Sequence, residues 1–252
     1  MKVIVQNLAI EYEDEGQGKT LLFLHGWQSN LHTFDDLAFS LKDYYRILRL
    51  DLPGFGGTEM PKNEAWDLNK YVLFVRDFVL KLNLEVHAIV GHSFGGRIVI
   101  KGRADNIFNM EKLILIGSGG MARRKTLRNY ILKIIAKIGG FATYTPPLYF
   151  WRAKLRKRMY DFIGSHDYLD AGELKNIFVK IIEEDLTENA KNIKTPTLLI
   201  WGANDNQTPL EDGQRLARLI ENSKIEALQD CGHFVHEQKP KEVLSLIQNF
   251  LQ

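Results

Sequence analysis

A six-residue stretch at positions 91–96, Gly-His-Ser-Phe-Gly-Gly, constrains this chain more than any other feature. It follows an apolar run typical of a buried strand and precedes a helix-like segment. A serine at such a turn takes a strained backbone conformation that pushes its hydroxyl out of the sheet. Strand and helix can approach only where the flanking residues lack side chains, and Gly91 and Gly95 satisfy this requirement. The pattern therefore indicates Ser93 as a candidate nucleophile.

A carboxylate and a histidine follow in an order that suits an activated serine. A serine hydroxyl is a poor nucleophile unless a base accepts its proton and a carboxylate orients that base. Asp205 comes just after one strand-like run, and His233 just after the next. Upstream, another strand-like run leads into His-Gly-Trp at positions 25–27, a loop whose backbone N–H groups could face the serine. The sequence thus offers a candidate acid, base and oxyanion donor.

Five segments together resemble the α/β-hydrolase fold family, specifically its capped, esterase-like members. They are the loop 25–27, the segment 51–58 (Asp-Leu-Pro-Gly-Phe-Gly-Gly-Thr), the turn 91–96, the acid loop 201–209 and the histidine loop 232–234. The resemblance implies that Ser93 is the nucleophile, His233 the general base and Asp205 the orienting acid. It also implies that the backbone N–H groups of Trp27 and Phe94 form the oxyanion hole.

Strand-like runs alternate with helix-length segments, which is the pattern of a mostly parallel sheet with helices on both faces. The predicted strands are 2–6, 9–13, 21–24, 46–50, 86–90, 112–116, 197–201 and 224–228, the first two as an antiparallel edge hairpin. The predicted helices are 31–41, 69–82, 95–103, 210–221 and 240–250. With the resemblance, this pattern predicts an eight-stranded α/β-hydrolase fold.

Strands and helices stop alternating between the sixth and seventh predicted strands, where the sequence pattern is nearly all helical. We expect residues 119–193 to form a helical cap inserted into a core made of residues 1–118 and 194–252. An insertion at the carboxyl ends of the strands would roof the active site and create an apolar pocket. The expected substrate-binding residues are Trp27, Tyr130, Ile134, Trp151 and Phe234.

Other side chains near the predicted triad invite different interpretations. We expect His92 and His236 to be structural, and Cys231 to be a small buried residue. A metal could in principle bind Cys231, His233, His236 and Glu237, but the triad already requires His233 and no HExxH-type helix exists. No Walker loop or Rossmann glycine fingerprint follows a strand. We therefore expect no metal and no organic cofactor.

The single cysteine among 252 residues excludes an internal disulfide and agrees with a reducing compartment. The N-terminal sequence has no charged head followed by a long apolar segment, and no run reaches the ~18 apolar residues that a membrane span needs. We therefore expect a cytoplasmic protein that binds a small-molecule ester and no nucleic acid. The sequence leaves the oligomeric state open.

The positive charge of the chain is concentrated in one part of the predicted cap. Positions 121–160 contain eleven basic residues and no Asp or Glu, which leaves 22 basic against 31 acidic residues elsewhere. Three interpretations compete: a solvated outer face, contact with an anionic membrane, and attraction for an anionic substrate. A helix face that roofs a pocket cannot also enter a bilayer. We therefore expect no stable membrane attachment, only a weak, salt-sensitive contact of the cap with anionic surfaces.

The resemblance implies a serine hydrolase that cleaves carboxylic esters with small to medium acyl groups through an acyl-enzyme intermediate. Its relatives also include lactonases, thioesterases and C–C bond hydrolases, and the sequence leaves these alternatives open. Relatives with an aspartate nucleophile are disfavoured by Ser93. A fold does not fix a function, so a small-molecule receptor that keeps the triad with little turnover is the alternative outside the enzymes.

Overall fold

The computed structural model describes residues 1–61, 66–121 and 174–252. Its centre is an eight-stranded sheet whose strands, in chain order, match the eight predicted from the sequence. They are β1 (Lys2–Val5), β2 (Leu8–Glu15), β3 (Thr20–Leu24), β4 (Arg46–Leu50), β5 (Val86–His92), β6 (Lys112–Ile116), β7 (Thr197–Gly202) and β8 (Ser223–Leu228).

The sheet order is β1-β2-β4-β3-β5-β6-β7-β8. β1 pairs antiparallel with β2, and β2 antiparallel with β4, whereas every other neighbouring pair is parallel. The strands β3, β5 and β7 are buried along their whole length. Parallel strands covered on both faces read as continuous apolar runs, which explains why the sequence signal was strong there. The predicted mostly parallel α/β sheet is confirmed.

Helices cover the sheet where the sequence predicts them, with small shifts of their ends. The described helices are α1 (Asp35–Leu41), α2 (Leu68–Lys81), α3 (Phe94–Ala104), α4 (Lys175–Glu183), α5 (Thr187–Lys191), α6 (Leu210–Leu219), α7 (Val235–Gln238) and α8 (Pro240–Leu251). The predicted helix 31–41 divides into a 3-10 turn, Leu31–Phe34, followed by α1, because the Asn30 side chain caps the turn by accepting from the His32 N–H. The short helix α7 was not predicted.

Apolar side chains form two clusters, one on each face of the sheet. Alternate residues of β3 divide between them, with Leu22 and Leu24 in one cluster and Leu21 and Phe23 in the other. This is the two-residue period of a strand. The first cluster packs α2, α3 and α6 against the sheet, and the second packs α1 and α8. The sheet is therefore held rigidly from both sides, with its strand ends free to carry functional loops.

The predicted cap falls mainly on residues 122–173, which lie outside the described residues, as do Tyr130, Ile134 and Trp151. Of the predicted insertion, the structure describes α4 and α5. The side chains of Phe178 and Ile181 on α4 are buried, in agreement with an apolar face. Within the part of the chain that the structure describes, no helix combines the length and the apolar character that crossing a membrane requires.

Candidate active site

Ser93 lies in a sharp turn between β5 and α3. Its backbone has φ 50° and ψ −106°, a left-handed conformation that costs a residue other than glycine about 1–3 kcal/mol. The Ser93 N–H donates to the Ile116 carbonyl at 3.0 Å, and the Ser93 carbonyl accepts from the N–H groups of Arg97 and Gly119 at 3.2 and 3.1 Å. These bonds to β6, to the loop after β6 and to α3 hold the strained conformation in place.

The glycines around Ser93 are sterically required. A Cβ atom on Gly95 would lie 2.1 Å from the carbonyl oxygen of Leu24, and one on Gly91 would lie 2.8 Å from the Cα atom of Gly96. Both distances are far below van der Waals contact. The close approach of strand and helix predicted from the sequence is therefore confirmed at these positions.

The acid and the histidine form a buried, directly bonded pair. His233 Nδ1 lies 2.8 Å from Asp205 Oδ2. The other carboxylate oxygen accepts from the backbone N–H groups of Gln207 and Thr208 at 2.8 and 2.9 Å, so Asp205 acts only as an acceptor. Its partner nitrogen must then carry a hydrogen, which leaves Nε2 as the ring nitrogen that can accept a proton.

Thr208 belongs to this pair, although the sequence analysis missed it. Its hydroxyl lies 2.8 Å from Asp205 Oδ2, 2.9 Å from the Gly117 carbonyl and 3.2 Å from His233 Nδ1. A hydroxyl has only one hydrogen, so Thr208 donates to either the Asp205 carboxylate or the Gly117 carbonyl, and its oxygen can accept from the Nδ1–H of His233. Its position three residues after the acid, in the same loop, was the available signal. The contact with Gly117 depends on the fold and could not be read from the sequence.

His92, the residue before Ser93, contacts the histidine loop. Among the hydrogen bonds of the described residues, none joins the Ser93 hydroxyl to His233. Instead His92 Nε2 lies 3.2 Å from the His233 carbonyl oxygen, and the two rings are 4.8 Å apart between centroids. Catalytic hydrogen bonds are often long in the absence of substrate, and a serine hydroxyl reorients by rotation about one bond. The nucleophile turn therefore contacts the histidine loop through His92.

The loop 25–27 lies directly against the nucleophile turn. A Cβ atom on Gly26 would lie 3.3 Å from Ser93 Cβ, and the His25 carbonyl accepts from the Gly95 N–H at 3.0 Å. No hydrogen bond within the described part of the chain uses the backbone N–H of Trp27 or Phe94. Phe94 opens α3, and the first N–H groups of a helix have no partner inside it. Neither predicted oxyanion donor is therefore engaged by a hydrogen bond within the described residues.

The side chain of His25 fastens this loop to the segment after β4. His25 Nε2 accepts from the Leu52 N–H at 2.9 Å, and Nδ1 lies 2.7 Å from the Gly26 carbonyl. One nitrogen accepts and the other donates, so the ring is neutral, and burial lowers its pKa to about 4. Asp51 adds a second link, because its two oxygens accept from the N–H groups of Leu31 and Gly57, both at 2.7 Å.

The other residues near the pair take structural positions. Burial lowers the pKa of His92 well below its ordinary value, with a further contribution from the neighbouring His236 and His233. Burial also lowers the pKa of His236 to about 3, and its Nε2 lies 3.0 Å from the Thr33 hydroxyl. Cys231 is buried, its thiol donates to a backbone carbonyl, and burial raises its pKa. These groups are neutral at pH 7.

An aromatic wall, made of Trp27, Phe55, Phe94 and Phe178, stands beside Ser93. The Trp27 ring centroid lies 4.9 Å from Phe55, 5.4 Å from Phe94 and 4.9 Å from Phe178. Phe234, the other predicted substrate-binding residue that the structure describes, lies next to the base, with its ring 5.3 Å from that of His233. The arrangement joins a polar acid–base pair to an apolar surface.

One group of possible metal ligands occurs among the described residues, at a place the sequence analysis did not consider. Ligand atoms of Glu13, His32 and Asp35 lie within 4.8 Å of one another. The guanidinium of Arg49 donates to both carboxylates, so a resident cation already pairs with this cluster. The set around Cys231 that was considered from the sequence does not form such a group in the described part of the chain.

Comparisons with known proteins agree with this architecture. The chain is 28% identical over 255 residues to the uncharacterized hydrolase YugF of Bacillus subtilis (strain 168), covering 96% of this chain and 92% of that protein. It is 28% identical over 281 residues to the 2-hydroxy-6-oxononadienedioate/2-hydroxy-6-oxononatrienedioate hydrolase of Escherichia coli O81 (strain ED1a). This alignment covers 98% of the present chain and 92% of that protein.

Among solved structures, an esterase from Exiguobacterium antarcticum superposes with a TM-score of 0.75 at 20% identity, over 99% of this chain and 98% of that one. This likeness shows the fold. Residues 21–246 match the sequence model of the alpha/beta hydrolase family. The strand order, the nucleophile turn and this match, which spans most of the chain, lead to one assignment: the chain belongs to the alpha/beta hydrolase family.

Proposed function

We propose that this chain is a serine hydrolase that cleaves carboxylic esters, with Ser93 as nucleophile, His233 as general base and Asp205 as orienting acid. The observation that carries the proposal is the buried hydrogen bond of 2.8 Å between His233 and Asp205, beside the strained turn that carries Ser93. A histidine held in this tautomer presents an unprotonated Nε2, which is the group that a serine needs for activation.

In the proposed reaction, Ser93 Oγ attacks the ester carbonyl carbon while its proton moves to His233 Nε2. The carbonyl oxygen becomes an oxyanion, which accepts from the N–H groups of Trp27 and Phe94. The bond to the alcohol oxygen then breaks, and His233 returns the proton to that oxygen. Water adds to the acyl-serine in a second round of the same steps and releases the acid.

The aromatic wall supports an uncharged, apolar acyl group. Its rings are apolar, with Trp27 the partly exposed member, and aromatic side chains are common in the lining of small-molecule sites. The arginine nearest in sequence to Ser93, Arg97, donates its guanidinium to two backbone carbonyls. Both bonds come from Nη2, so the protein backbone already uses this part of the guanidinium.

A C–C bond hydrolase is the second candidate, favoured by the name of the Escherichia coli relative, which describes hydrolysis of a dienedioate. The same three residues could serve such a reaction. Its substrate carries carboxylates, however, whereas the described wall is apolar. This difference favours esters for the present chain.

A panel of substrates on the purified chain tests the proposal. It contains p-nitrophenyl esters of graded chain length, a lactone, a thioester and a 2-hydroxy-6-oxo-dienoate, each also assayed with Ser93→Ala. We expect the esters to be consumed fastest and Ser93→Ala to lower their turnover by about 10⁶, since that residue forms the covalent intermediate. Preferred consumption of the dienoate would replace the ester assignment. Labelling by a fluorophosphonate with no turnover would favour the receptor alternative.

A further inference from the structure

Arg97 is a buried cation that caps the carboxyl end of a neighbouring helix, α4. It lies on α3, one turn after Ser93, and only 6% of its surface is exposed. Its Nη2 donates to the carbonyl oxygens of Ile181 and Glu184. Ile181 is in the last turn of α4, and Glu184 directly follows it. The last carbonyls of a helix lack partners within it and carry partial negative charge, so a guanidinium there stabilises the helix end.

The charge of Arg97 survives its burial. Burial lowers the pKa of Arg97 to about 10, and the nearby carboxylates of Glu184 and Asp185 act in the opposite direction. The group is therefore protonated at pH 7. Beside it, Lys101 pairs with Glu184 at 2.6 Å. Ile181 packs into the apolar core, and the carboxyl end of α4 is held in addition by directional bonds to charged groups of α3.

Along its length, α4 crosses the aromatic wall. Just before its first residue, Leu174 packs near the segment after β4, since a Cβ atom on Gly54 would lie 3.4 Å from its side chain. In the middle, Phe178 lies 4.9 Å from Trp27 between ring centroids. At the far end, Arg97 fixes the helix to α3. The turn that carries Ser93 thus leads directly into α3, the helix whose Arg97 bonds the end of α4.

We propose that Arg97 is a positioning residue that sets the size of the substrate the site accepts, by holding α4 so that Phe178 packs on Trp27. This inference rests on the proposed function, because it concerns the same site. Loss of the anchor loosens α4, separates Phe178 from Trp27 and opens the wall to longer chains. Ser93 and its acid–base pair stay in place, because they are held by the sheet loops.

The test compares p-nitrophenyl acetate with p-nitrophenyl octanoate in the full chain and in Arg97→Met. We expect the ratio of kcat/KM for octanoate to that for acetate to rise about tenfold, mainly through KM, as expected when a pocket contact changes. Labelling of Ser93 by a short-chain fluorophosphonate should keep its rate. The matched control is Arg103→Met on the same helix, because Arg103 contacts Thr195 and Asn106 rather than α4. Its ratio should equal that of the wild type.

Phe178→Ala supplies the second arm of the test. It should raise the same ratio, and the double variant with Arg97→Met should exceed neither single change, because both act through one contact. Additive shifts, or an unchanged ratio in folded Arg97→Met, overturn the proposal. If Arg97→Met does not fold, Arg97→Lys replaces it in the same cycle, since lysine keeps the charge and can reach one carbonyl.

The proposed function can fail separately from this inference. Wild-type chain that hydrolyses no ester contradicts the proposed function. In that case the ratio is measured as labelling rates of Ser93 with short-chain and long-chain fluorophosphonates. An unchanged ratio of those rates in Arg97→Met then overturns the role of Arg97 independently.

Discussion

The two sides of the candidate site are built by different kinds of interaction. On the acid–base side, both oxygens of Asp205 accept hydrogen bonds, from two backbone N–H groups, the Thr208 hydroxyl and His233. On the aromatic wall, Trp27 is surrounded by three rings, and its buried indole N–H has no hydrogen-bond partner among the described residues. Directional bonds fix one side, and ring packing shapes the other.

This difference teaches where the site can change. Hydrogen bonds to a buried carboxylate have narrow geometric tolerance, and an unsatisfied partner costs about 1–3 kcal/mol. Apolar packing accepts substitutions of similar volume at less than about 1.5 kcal/mol. The acid–base side should therefore be intolerant of change, whereas the aromatic wall should adapt to new substrates with small losses.

Asp205→Asn breaks the acid–base side most severely. We expect turnover of the best ester to fall by about 10⁴, because the amide no longer stabilises the imidazolium and favours the wrong histidine tautomer. Steady-state kinetics on the purified variant measure this loss. Asp36→Asn, an exposed position on α1, is the matched control. Near-normal turnover in Asp205→Asn would move the acid to another residue.

Low pH should destabilise the fold through two buried histidines, His25 and His236. The pKa values of His25 and His236 are lowered to about 4 and about 3 by burial, whereas an unfolded histidine titrates near ~6.5. As pH falls below ~6.5, the unfolded chain binds these protons and the folded chain does not, so stability is lost at about 1.4 kcal/mol per pH unit for each histidine.

Urea unfolding at pH 6.5 and pH 5 measures this loss. Over that interval we expect the free energy of unfolding to drop by about 3 kcal/mol from His25 and His236 together, because the unfolded histidines are half protonated at pH ~6.5 and the full slope of about 1.4 kcal/mol per unit is reached only below it. His236→Asn should remove about half of the drop, since it removes one titrating group. Equal stability at the two pH values would show that these rings are protonated in the folded chain.

Thr208→Val tests the hydroxyl that bridges Asp205 and Gly117. The two side chains are nearly the same size, so the change removes hydrogen bonds with little loss of packing. We expect turnover to fall about tenfold, equivalent to one lost hydrogen bond to a charged group. Thr208→Ser keeps the hydroxyl and should recover most of the activity. If valine and serine behave alike, the hydroxyl has no part in orienting the pair.

Phe55→Leu sharpens the comparison from the aromatic side. It removes one ring that packs on Trp27 while leaving an apolar side chain. We expect a change of about threefold in KM for the esters with kcat nearly unchanged, since packing contacts of this kind contribute about 0.5–1.5 kcal/mol. A large fall in kcat would mean that the wall also holds the oxyanion loop in place.

The sequence predicted the parts of the site that local geometry requires. Gly91 and Gly95 were identifiable because a strand cannot turn tightly into a helix beside bulkier residues, and their close contacts bear this out. Asp205 follows the seventh strand, whereas Gly117, and no carboxylate, follows the sixth. A Cβ atom on Gly117 would lie only 3.3 Å from Asp205 Oδ2, so the ends of the sixth and seventh strands lie next to each other at the site.

Other parts depend on residues that meet only in the folded chain. The link from His25 to the Leu52 N–H and the links from Asp51 to Leu31 and Gly57 join segments that the sequence treats as separate loops. The sequence does not distinguish Arg97 from the other basic residues, because its contact with α4 exists only in the folded chain. Such contacts have no periodic or motif signal, because they are set by the packing of elements distant in sequence.

The backbone of Ser93 has a consequence for the history of the protein. At φ 50° glycine is the conformationally cheaper residue, so Ser93→Gly should stabilise the fold by about 1 kcal/mol while removing the hydroxyl. A lineage that no longer needed turnover would gain stability through this one substitution. The substitution would be hard to reverse, because a return to serine lowers the stability of the fold in a lineage that does not use the activity. A serine at this position is accordingly more easily explained in a chain under selection for chemistry than in one selected for binding alone.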